Sequence, residues 1–360
     1  MPRLVVSSTA GDYPVLVQRA APDVGDIPDH LYADDGRIIL ITDERIAGIH
    51  GATVEAQLVK LGFRPVILTI PIGERAKSPT TVIRLCREML GHKAQRRTPI
   101  FGLGGGVVGD IAGLVASLYM RGVPLLHIPT TLLAQVDSSV GGKTGVDLPE
   151  GKNLIGTFWP PTMVWTCTDF LETLPARRIR EGLSEALKYG YISRPDLLDR
   201  CLEIPARSAN RDPARLETFV FDCISVKANV VVQDEHEKGL REILNFGHTI
   251  GHAIERHLGY RGITHGAAVS IGMIIELALG EILGVTAKGL SDDARARLSS
   301  IGLPTTIPTG IGVKDIVEAT RHDKKNVGEN LRFVAISEPG TPTLVQLTDK
   351  ELLKNLNLVR

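Results

Sequence analysis

The sequence is poor in cysteine, and this already excludes some classes of small protein. Its 360 residues contain four cysteines, Cys86, Cys167, Cys201 and Cys223, which lie far apart and form no Cys-x-x-Cys pair. This spacing argues against a zinc knuckle and against a disulfide framework. We therefore expect reduced, mostly buried thiols.

The sequence also lacks an excess charge and a long apolar run. Lys plus Arg and Asp plus Glu each number 41, so no overall field attracts nucleic acid or acidic membranes. No stretch approaches the ~18 uninterrupted apolar residues of a membrane span, and the N-terminus has no apolar signal core. These absences predict a cytoplasmic, soluble protein that binds neither nucleic acid nor membrane.

What the chain does contain is a change of pattern near residue 175. Before it, short β-type runs alternate with helical patterns, which is typical of an α/β domain with a largely parallel sheet. After it, β-type runs nearly vanish. We predict an α/β domain over 1–175 and a helical domain over 176–360. The predicted helices of the second domain cover residues 179–191, 195–204, 213–233, 241–258 and 267–283.

Glycines concentrate between residues 101 and 155. Gly104, Gly106 and Gly109 match Gly-x-Gly-x-x-Gly between an apolar run and a helical pattern over 110–119. A strand, a glycine turn and a helix N-terminus present free backbone N–H groups to a pyrophosphate. A tight turn with close helix packing would need the same glycines, so the motif alone leaves both interpretations open.

Cations and polar groups surround this motif in the sequence. Arg121, Lys143 and Lys152 follow it, and they predict an anion site. Asp43 ends a predicted strand, where it can be a ribose partner or, as we favour, a helix N-cap. A turn over 71–79 carries further charges and is expected to be solvated. The ends of three predicted strands suggest one shared crevice.

The helical part contains two polar patterns. Glu181, Glu185 and Lys188 share one helix face, which surface ion pairing would explain. Arg241, Asn245, His248 and His252 also step by four, three and four residues. A polar stripe of this kind is costly inside an apolar helix unless its groups find partners.

A metal site would satisfy part of that stripe. His248 and His252 have an i, i+4 spacing, but Thr249 replaces the Glu of His-Glu-x-x-His. His265 stands in a predicted turn. Two or three of these imidazoles with a carboxylate such as Glu185 would form an open zinc site with room for a substrate oxygen. Ordinary structural histidines remain the alternative.

Several segments together resemble a known family. GGGVVGD, IPTTLLAQVDSSVGGKTGVD, GKNLIG, GLSEALKYG, LREILNFGHTIGHAIE and THGAAVSIGM are similar to the 3-dehydroquinate synthases, which are sugar phosphate cyclases. The resemblance extends over about residues 43–332. It implies a Rossmann-like NAD-binding domain, a mostly helical metal-binding domain and a homodimer. It also implies conversion of 3-deoxy-D-arabino-heptulosonate 7-phosphate to 3-dehydroquinate and phosphate, a step of the shikimate pathway to aromatic amino acids.

The resemblance also implies a role for each matching residue. The ligands of Zn²⁺ or Co²⁺ would be Glu185, His248 and His265. The NAD contacts would be Asp43, Glu74, Lys77, Gly105, Gly106, Asp110, Thr130, Thr131, Lys143, Lys152, Phe170 and Thr173. The substrate contacts would be Asp137, Lys143, Asn153, Lys188, Lys227, Arg241, Asn245, His252 and a lysine of the pair Lys324 and Lys325, with Arg121 reaching a neighbouring subunit.

Other functions remain open from the residues. Aminodehydroquinate synthase and 2-epi-5-epi-valiolone synthase are sibling cyclases, and a metal-dependent polyol dehydrogenase is an alternative of another class. Two departures from the family pattern bear on binding details. The segment Thr42-Asp43-Glu44-Arg45 lacks the asparagine that is common in the Thr-Asp-x-Asn segment of the family. Ala267 stands where a Glu often follows the His-Gly pair, so an outer contact to His265 is either missing or supplied elsewhere.

Overall fold

The computed structural model describes residues 2–19, 21–207, 211–320 and 330–359. The chain divides into two compact units. The first contains Met1–Leu174 and Ser208–Glu235, and the second contains Pro175–Arg207 and His236–Arg360. The chain therefore crosses between units more than once, whereas a single division after residue 175 is the sequence prediction.

The first unit contains these strands: β1 (Arg3–Val6), β2 (Tyr13–Gln18), β3 (Arg37–Asp43), β4 (Arg64–Ile70), β5 (Ile100–Gly104), β6 (Leu125–Pro129), β7 (Val146–Leu148), β8 (Gly151–Ile155) and β9 (Met163–Cys167). Its helices are α1 (Glu44–Ile46), α2 (Ala52–Lys60), α3 (Pro79–Gly91) and α4 (Gly106–Leu118), to which the later helix α7 (Pro213–Gln233) is added.

The second unit is mostly helical. It contains α5 (Ala176–Ile192), α6 (Asp196–Glu203), α8 (His248–His257), α9 (His265–Ile282), α10 (Leu290–Ser300), α11 (Val313–Thr320) and α12 (Asp349–Leu356). An antiparallel hairpin joins β10 (Asn330–Glu338) to β11 (Thr341–Thr348). The prediction that β-structure nearly ends after residue 175 misses this hairpin.

A seven-stranded sheet organises the first unit, in the order β1-β2-β9-β6-β5-β3-β4. Only β1 pairs antiparallel; the other neighbours are parallel. Because β4 and β5 lie on opposite sides of β3, the chain changes direction between β3 and β5, and ligands of such sheets bind beyond the carboxyl ends there. The predicted polar strand ends follow β3, β4 and β6, which lie with β5 among four consecutive strands of the sheet.

Alternate residues of β3 pack on opposite faces of the sheet. Ile39 and Ile41 belong to the core beneath α3 and α4, and Ile38 and Leu40 to the core beneath α2. Burial on both faces explains why this strand is almost continuously apolar. Within the described residues the cysteines are free thiols, three of them buried, as predicted.

Helix α7 belongs with the first unit because it packs against β1, β2 and the turn Ala134–Ser138. Its bounds agree with the predicted helix over 213–233. Periodicity gives the length of a helix but not the surface that it covers, so the sequence prediction assigns it to the second domain.

The predicted helix over 241–258 is interrupted. A 3₁₀ segment, Leu240–Asn245, precedes α8, and Gly247 between them has a φ of 78° in the left-handed region. Glycine adopts this conformation without steric cost, which explains the break. Arg241 and Asn245 therefore do not continue the helical face of His248 and His252, so that part of the stripe interpretation is wrong.

One helix among the described residues, α9, is long and apolar enough to cross a membrane, with a mean hydropathy of 1.4. Of that segment, 72% is buried inside the protein. Core helices of folded proteins meet the same criteria of length and composition.

The buried histidine of β6 predicts a pH effect on stability. Burial lowers the pKa of His127 to about 4. The unfolded chain binds this proton below about pH 6.5, whereas the folded chain binds it only below about pH 4. Stability therefore falls as the pH falls from about 6.5 to about 4. Over this pH range we expect His127 to reduce the free energy of unfolding by about 3 kcal/mol.

Urea denaturation at several pH values would measure this effect. Both tryptophans, Trp159 and Trp165, lie in the first unit with His127, so their fluorescence reports its unfolding. The reference is His127→Gln, which should show a shallower loss of stability between pH 6.5 and 4. Equal pH dependence in the two proteins would contradict the assignment.

Candidate active site

The glycine turn lies between β5 and α4. Gly105 is the N-cap of α4 and Gly106 its first residue, so the helix begins four residues before the predicted 110. A Cβ on Gly104 would lie 2.5 Å from the Cγ2 atom of Val108, and one on Gly105 would lie 3.1 Å from Thr131. The glycines thus serve close packing and also leave the N-terminal N–H groups of α4 uncovered by side chains. The structure confirms the close packing, and the pyrophosphate interpretation stays a prediction.

Two groups beside this turn suit a dinucleotide. Thr130 is buried, and its hydroxyl has no hydrogen-bond partner within the described part of the chain. Asp43 accepts hydrogen bonds of 2.9 Å from the backbone N–H groups of Arg45 and Ile46, which confirms the predicted N-cap. An uncapped helix N-terminus with an adjacent orphan hydroxyl fits a pyrophosphate.

A second group of predicted cofactor contacts follows β9. Phe170 is buried, and its carbonyl accepts a hydrogen bond of 3.1 Å from the hydroxyl of Thr173. That hydroxyl is also 2.8 Å from Nε2 of His50, whose ring lies edge-on to Phe170 at 4.8 Å. Because Thr173 has one hydroxyl proton, His50 donates through Nε2. His50 belongs to no sequence motif, so no local signal identifies it.

Lys77 joins the turn after β4 to α4 and to β8. Its ammonium is 2.5 Å from the Oδ2 atom of Asp110 and also donates to the side-chain oxygen of Asn153. Only 5% of Lys77 is exposed, so the prediction of a solvated turn is wrong at this residue. Burial lowers the pKa of Lys77, but the charge and hydrogen bond of Asp110 and the charges of Glu74 and Asp147 together raise it by more.

Removing the cation of this pair should destabilise the first unit. We expect Lys77→Met to reduce the unfolding free energy by about 3 kcal/mol, because the partly buried Asp110 would keep its charge without its cation. Tryptophan fluorescence during urea denaturation measures the loss. Lys77→Met/Asp110→Asn should recover part of it, and Asp34→Asn, which neutralises the exposed pair of Asp34 and Arg97, should change little. No loss in the single variant would contradict the role of the pair.

Asp137 and Lys227 form another ion pair of the first unit, between the turn Ala134–Ser138 and α7. The ammonium of Lys227 is 2.5 Å from Oδ1 of Asp137, and the two side chains are 9% and 20% exposed. Two residues that are 90 positions apart in sequence, both predicted to contact substrate, are therefore neighbours.

The remaining predicted residues of the first unit lie closer to solvent. Lys152 is 3.8 Å from the Oε1 atom of Glu74, and Lys143 is exposed. Arg121 is exposed and has a positive φ of 67° at the end of a 3₁₀ turn after α4. Lys324 and Lys325 lie outside the described residues.

In the second unit, a carboxylate and two imidazoles converge. Oε1 of Glu185 is 3.5 Å from Nε2 of His248 and 3.4 Å from Nε2 of His265. These three side chains come from α5, α8 and α9, and their ligand atoms lie within 4.8 Å of one another. His265 is the first residue of α9, not part of a turn as predicted.

Hydrogen bonds orient both imidazoles toward the centre of this cluster. Nδ1 of His248 is 3.1 Å from the carbonyl oxygen of Phe246, which only an N–H can satisfy. Nδ1 of His265 is 3.1 Å from Oε2 of Glu255. With Nδ1 protonated, Nε2 is in each ring the nitrogen that would bind a metal beside Glu185, on loss of any proton that it carries. Two imidazole nitrogens and one carboxylate oxygen form a donor set that fits Zn²⁺ or Co²⁺ and leaves a coordination position open.

Glu255 supplies the outer contact that Ala267 does not make. It is 3% exposed and lies on α8, facing the first residue of α9. Burial lowers the pKa of His265, but hydrogen bonds to Glu185 and Glu255 raise it to about 10. His252, Glu255 and His265 form a second group of ligand types, but it shares His265 with the first. An orienting carboxylate behind a histidine ligand is a common arrangement.

Lys188 lies beside the same carboxylate. Its ammonium is 2.6 Å from Oε2 of Glu185, and the two side chains are 2% and 0% exposed. The expectation of surface ion pairing on this helix face is therefore wrong for these residues, because the predicted polar face of α5 points into the unit.

The other predicted substrate residues of the second unit lie before and within α8. Arg241 is 1% exposed, and Asn245 donates a hydrogen bond of 3.1 Å to Oε1 of Glu237. The ring of His252 lies 5.3 Å from that of His248 and 5.8 Å from that of His265. Glu237, with a φ of 56°, was missed because a charged residue in a loop carries no local signal.

Comparisons with known proteins give matches to both halves of the chain. Family models described as 3-dehydroquinate synthase N-terminal and C-terminal match residues 67–181 and 182–326. A 3-dehydroquinate synthase of Desulforamulus reducens is 44% identical over 300 residues, which are 83% of this chain and 83% of the relative.

Two solved structures share the fold over nearly the whole chain. A 2-deoxy-scyllo-inosose synthase complexed with carbaglucose-6-phosphate, NAD⁺ and Co²⁺ has a TM-score of 0.87, is 28% identical and covers 99% of this chain and 100% of its own. A 2-epi-5-epi-valiolone synthase from Streptomyces hygroscopicus subsp. jinggangensis 5008 with NAD⁺ and Zn²⁺ bound has a TM-score of 0.85, is 26% identical and covers 96% of both chains. The chain belongs to the 3-dehydroquinate synthase family.

Proposed function

We propose that this protein is a 3-dehydroquinate synthase, a phosphate-eliminating carbon–oxygen lyase of the shikimate pathway and of chorismate and aromatic amino acid biosynthesis. It converts 3-deoxy-D-arabino-heptulosonate 7-phosphate to 3-dehydroquinate and phosphate. The observation that carries this proposal is the convergence of Glu185, His248 and His265 on one point, in a chain that matches the family over both halves.

NAD and a divalent metal ion, Zn²⁺ or Co²⁺, are the cofactors. When bound, NAD supplies a reversible hydride acceptor and the metal supplies Lewis acidity. The structural relatives named above carry NAD⁺ with Co²⁺ or Zn²⁺. In this chain Glu185, His248 and His265 would hold the metal, and the glycine turn with Thr130 would receive the pyrophosphate.

The chain's own residues then bind and orient the substrate. Lys188 is held against Glu185, so its ammonium is positioned beside the metal ligands. Lys227 is held by Asp137 in the same way. We assign these cations and His252 to the phosphate and hydroxyl groups of the substrate, because ammonium and imidazolium groups form charge-assisted hydrogen bonds with oxygen anions.

Arg241 is assigned to the substrate carboxylate. A guanidinium has a planar fork that matches a carboxylate with two parallel hydrogen bonds. Its near-complete burial also excludes water, which strengthens such a contact. The chain retains Lys227, Arg241, Asn245 and His252 together, and this favours a carboxylated seven-carbon substrate over a neutral sugar phosphate.

A substrate panel tests the proposal. The protein, with NAD and Zn²⁺, is given 3-deoxy-D-arabino-heptulosonate 7-phosphate, its amino analogue, sedoheptulose 7-phosphate and glucose 6-phosphate, and phosphate release is measured. We expect the first substrate to have the highest kcat/KM. Preference for the amino analogue would identify an aminodehydroquinate synthase, and preference for sedoheptulose 7-phosphate a 2-epi-5-epi-valiolone synthase.

Assembly and location complete the proposal. A homodimer in the cytoplasm, in which Arg121 reaches the phosphate site of the neighbouring subunit, is proposed from the family resemblance and from the exposure of Arg121. One of Lys324 and Lys325 is assigned to the substrate phosphate on the same basis. We also propose that the first unit is the NAD-binding domain and that the second unit is the metal-binding domain.

A further inference from the structure

We propose that Glu276 is a positioning residue of the metal centre, which holds the first turn of α8 so that His248 presents Nε2 to the metal. This inference rests on the proposed metal site, and it adds a residue outside the ligands and their direct partners. Glu276 lies in the middle of α9 and is fully buried.

The carboxylate of Glu276 caps a helix that has no cap of its own. Its Oε2 atom accepts a hydrogen bond of 2.7 Å from the N–H of Gly247, and its Oε1 atom accepts one of 3.2 Å from the N–H of Ile250. The N-cap residue of α8 is Gly247, which has no side chain to bond these groups. A carboxylate at a helix N-terminus also interacts favourably with the helix dipole.

The capped segment is the one that orients the histidine. His248 is the first residue of α8, between the two N–H groups that Glu276 binds, and its Nδ1 donates to Phe246 in the same turn. Moving this turn would therefore move the imidazole and its hydrogen-bond acceptor together. A tilt of this kind changes the direction of Nε2 relative to Glu185, from which it lies 3.5 Å.

Close helix packing leaves the turn little freedom while Glu276 holds it. A Cβ on Gly247 would lie 2.5 Å from the Cγ atom of Met273, and a Cβ on Gly272 would lie 1.9 Å from the carbonyl oxygen of Gly247. The glycines allow the backbone of this turn to approach α9 closely, and the carboxylate supplies the directional bonds across that contact.

The two histidine-bearing helices hold each other's first turns. Glu276 of α9 binds the start of α8, where His248 lies, and Glu255 of α8 binds His265, the first residue of α9. Each metal-binding histidine is thus fixed by a carboxylate from the other helix. Without Glu276 the buried N–H groups of Gly247 and Ile250 lose their acceptors, which favours a shift of the turn.

A Co²⁺ titration of purified protein tests the inference without relying on activity. The proteins are wild type, Glu276→Gln, Glu276→Ala and His248→Ala, and the visible absorption of bound Co²⁺ gives both affinity and coordination. We expect Glu276→Ala to bind about tenfold more weakly, or worse, with an altered spectrum. Glu276→Gln keeps the shape of the side chain but only one acceptor oxygen. Its Co²⁺ affinity should therefore lie between those of Glu276→Ala and wild type.

Glu281 provides a matched control on the same helix. Its Oε1 atom accepts a hydrogen bond of 2.7 Å from the N–H of Ser291 near the start of α10, which carries none of the candidate ligands. Glu281→Ala therefore removes a cap between helices without touching the metal ligands. We expect it to lower the melting temperature but to keep the affinity and spectrum of wild type.

The outcomes separate the two proposals. Wild-type affinity and spectrum in both Glu276 variants would overturn the positioning role, as would an equal loss in Glu281→Ala. If wild type binds no Co²⁺, or His248→Ala binds it as well as wild type, the metal site itself is refuted. Should Glu276→Ala not fold, the isosteric Glu276→Gln decides by the same criteria.

Discussion

Replacing His265 with alanine is expected to abolish metal-dependent turnover while leaving the first unit folded and able to bind NAD. His265 contributes one of three converging ligand atoms, and two carboxylates, Glu185 and Glu255, face it. Loss of an outer partner alone costs about 10–100-fold in metal affinity or activity, so loss of a ligand should cost more than about a hundredfold. Phosphate release and NAD titration measure the two parts of this expectation.

His257 gives the control for this substitution. It lies at the exposed end of α8 and belongs to neither group of candidate ligands. His257→Ala should keep full phosphate release. Full activity of the metal-loaded His265→Ala protein would show that His265 is not a ligand.

Arg241→Ala should weaken the binding of a carboxylated substrate by about ten- to a hundredfold. A charge-assisted hydrogen bond contributes about 1.5–3 kcal/mol, which corresponds to that range. The KM for the seven-carbon substrate should rise, and the NAD affinity should stay the same. Steady-state kinetics with a parallel NAD titration provides both values.

Arg241→Lys distinguishes a specific contact from a general loss of structure. Lysine keeps the charge but cannot offer two parallel N–H groups, so the KM of this variant should lie between those of wild type and Arg241→Ala. Equal losses of substrate and NAD affinity in Arg241→Ala would indicate misfolding. An unchanged KM would exclude the carboxylate contact.

The first unit was the more predictable part of the fold. Strands such as Tyr13–Gln18 and Arg64–Ile70 lie in the part of the chain where the sequence predicts β-type runs between helices. Apolar strands buried on both faces, separated by helical patterns, indicate a parallel sheet from sequence alone. The packing of α7 on this sheet was not predictable, because it depends on which surface the chain returns to.

The second unit shows where local patterns stop being informative. Counting helical steps through Gly247 placed Arg241 on the face of His252, since a glycine inside a helical pattern is usually tolerated. The left-handed conformation of Gly247 depends on its close contact with α9. Spacing could suggest a metal site, but the convergence of α5, α8 and α9 on it is a property of packing.

Buried charged residues account for the remaining differences between the sequence predictions and the structure. Lys77 and Lys188 were expected on solvated surfaces, yet each is buried and forms an ion pair with a carboxylate. The roles of Glu255 and Glu276 carry no local signal, because their partners lie at the start of another helix. Sequence patterns identify polar residues on apolar helices but do not give the partners that satisfy them.

We expect one NAD to be reduced and reoxidised within each turnover, because NAD acts as a reversible hydride acceptor in a reaction without net oxidation. The most direct test supplies the protein with Zn²⁺, NAD and 3-deoxy-D-arabino-heptulosonate 7-phosphate and follows phosphate and NADH together. We expect continuous phosphate release with no net accumulation of NADH. Steady NADH production would instead indicate a polyol dehydrogenase, and absence of any turnover would contradict both enzymatic functions.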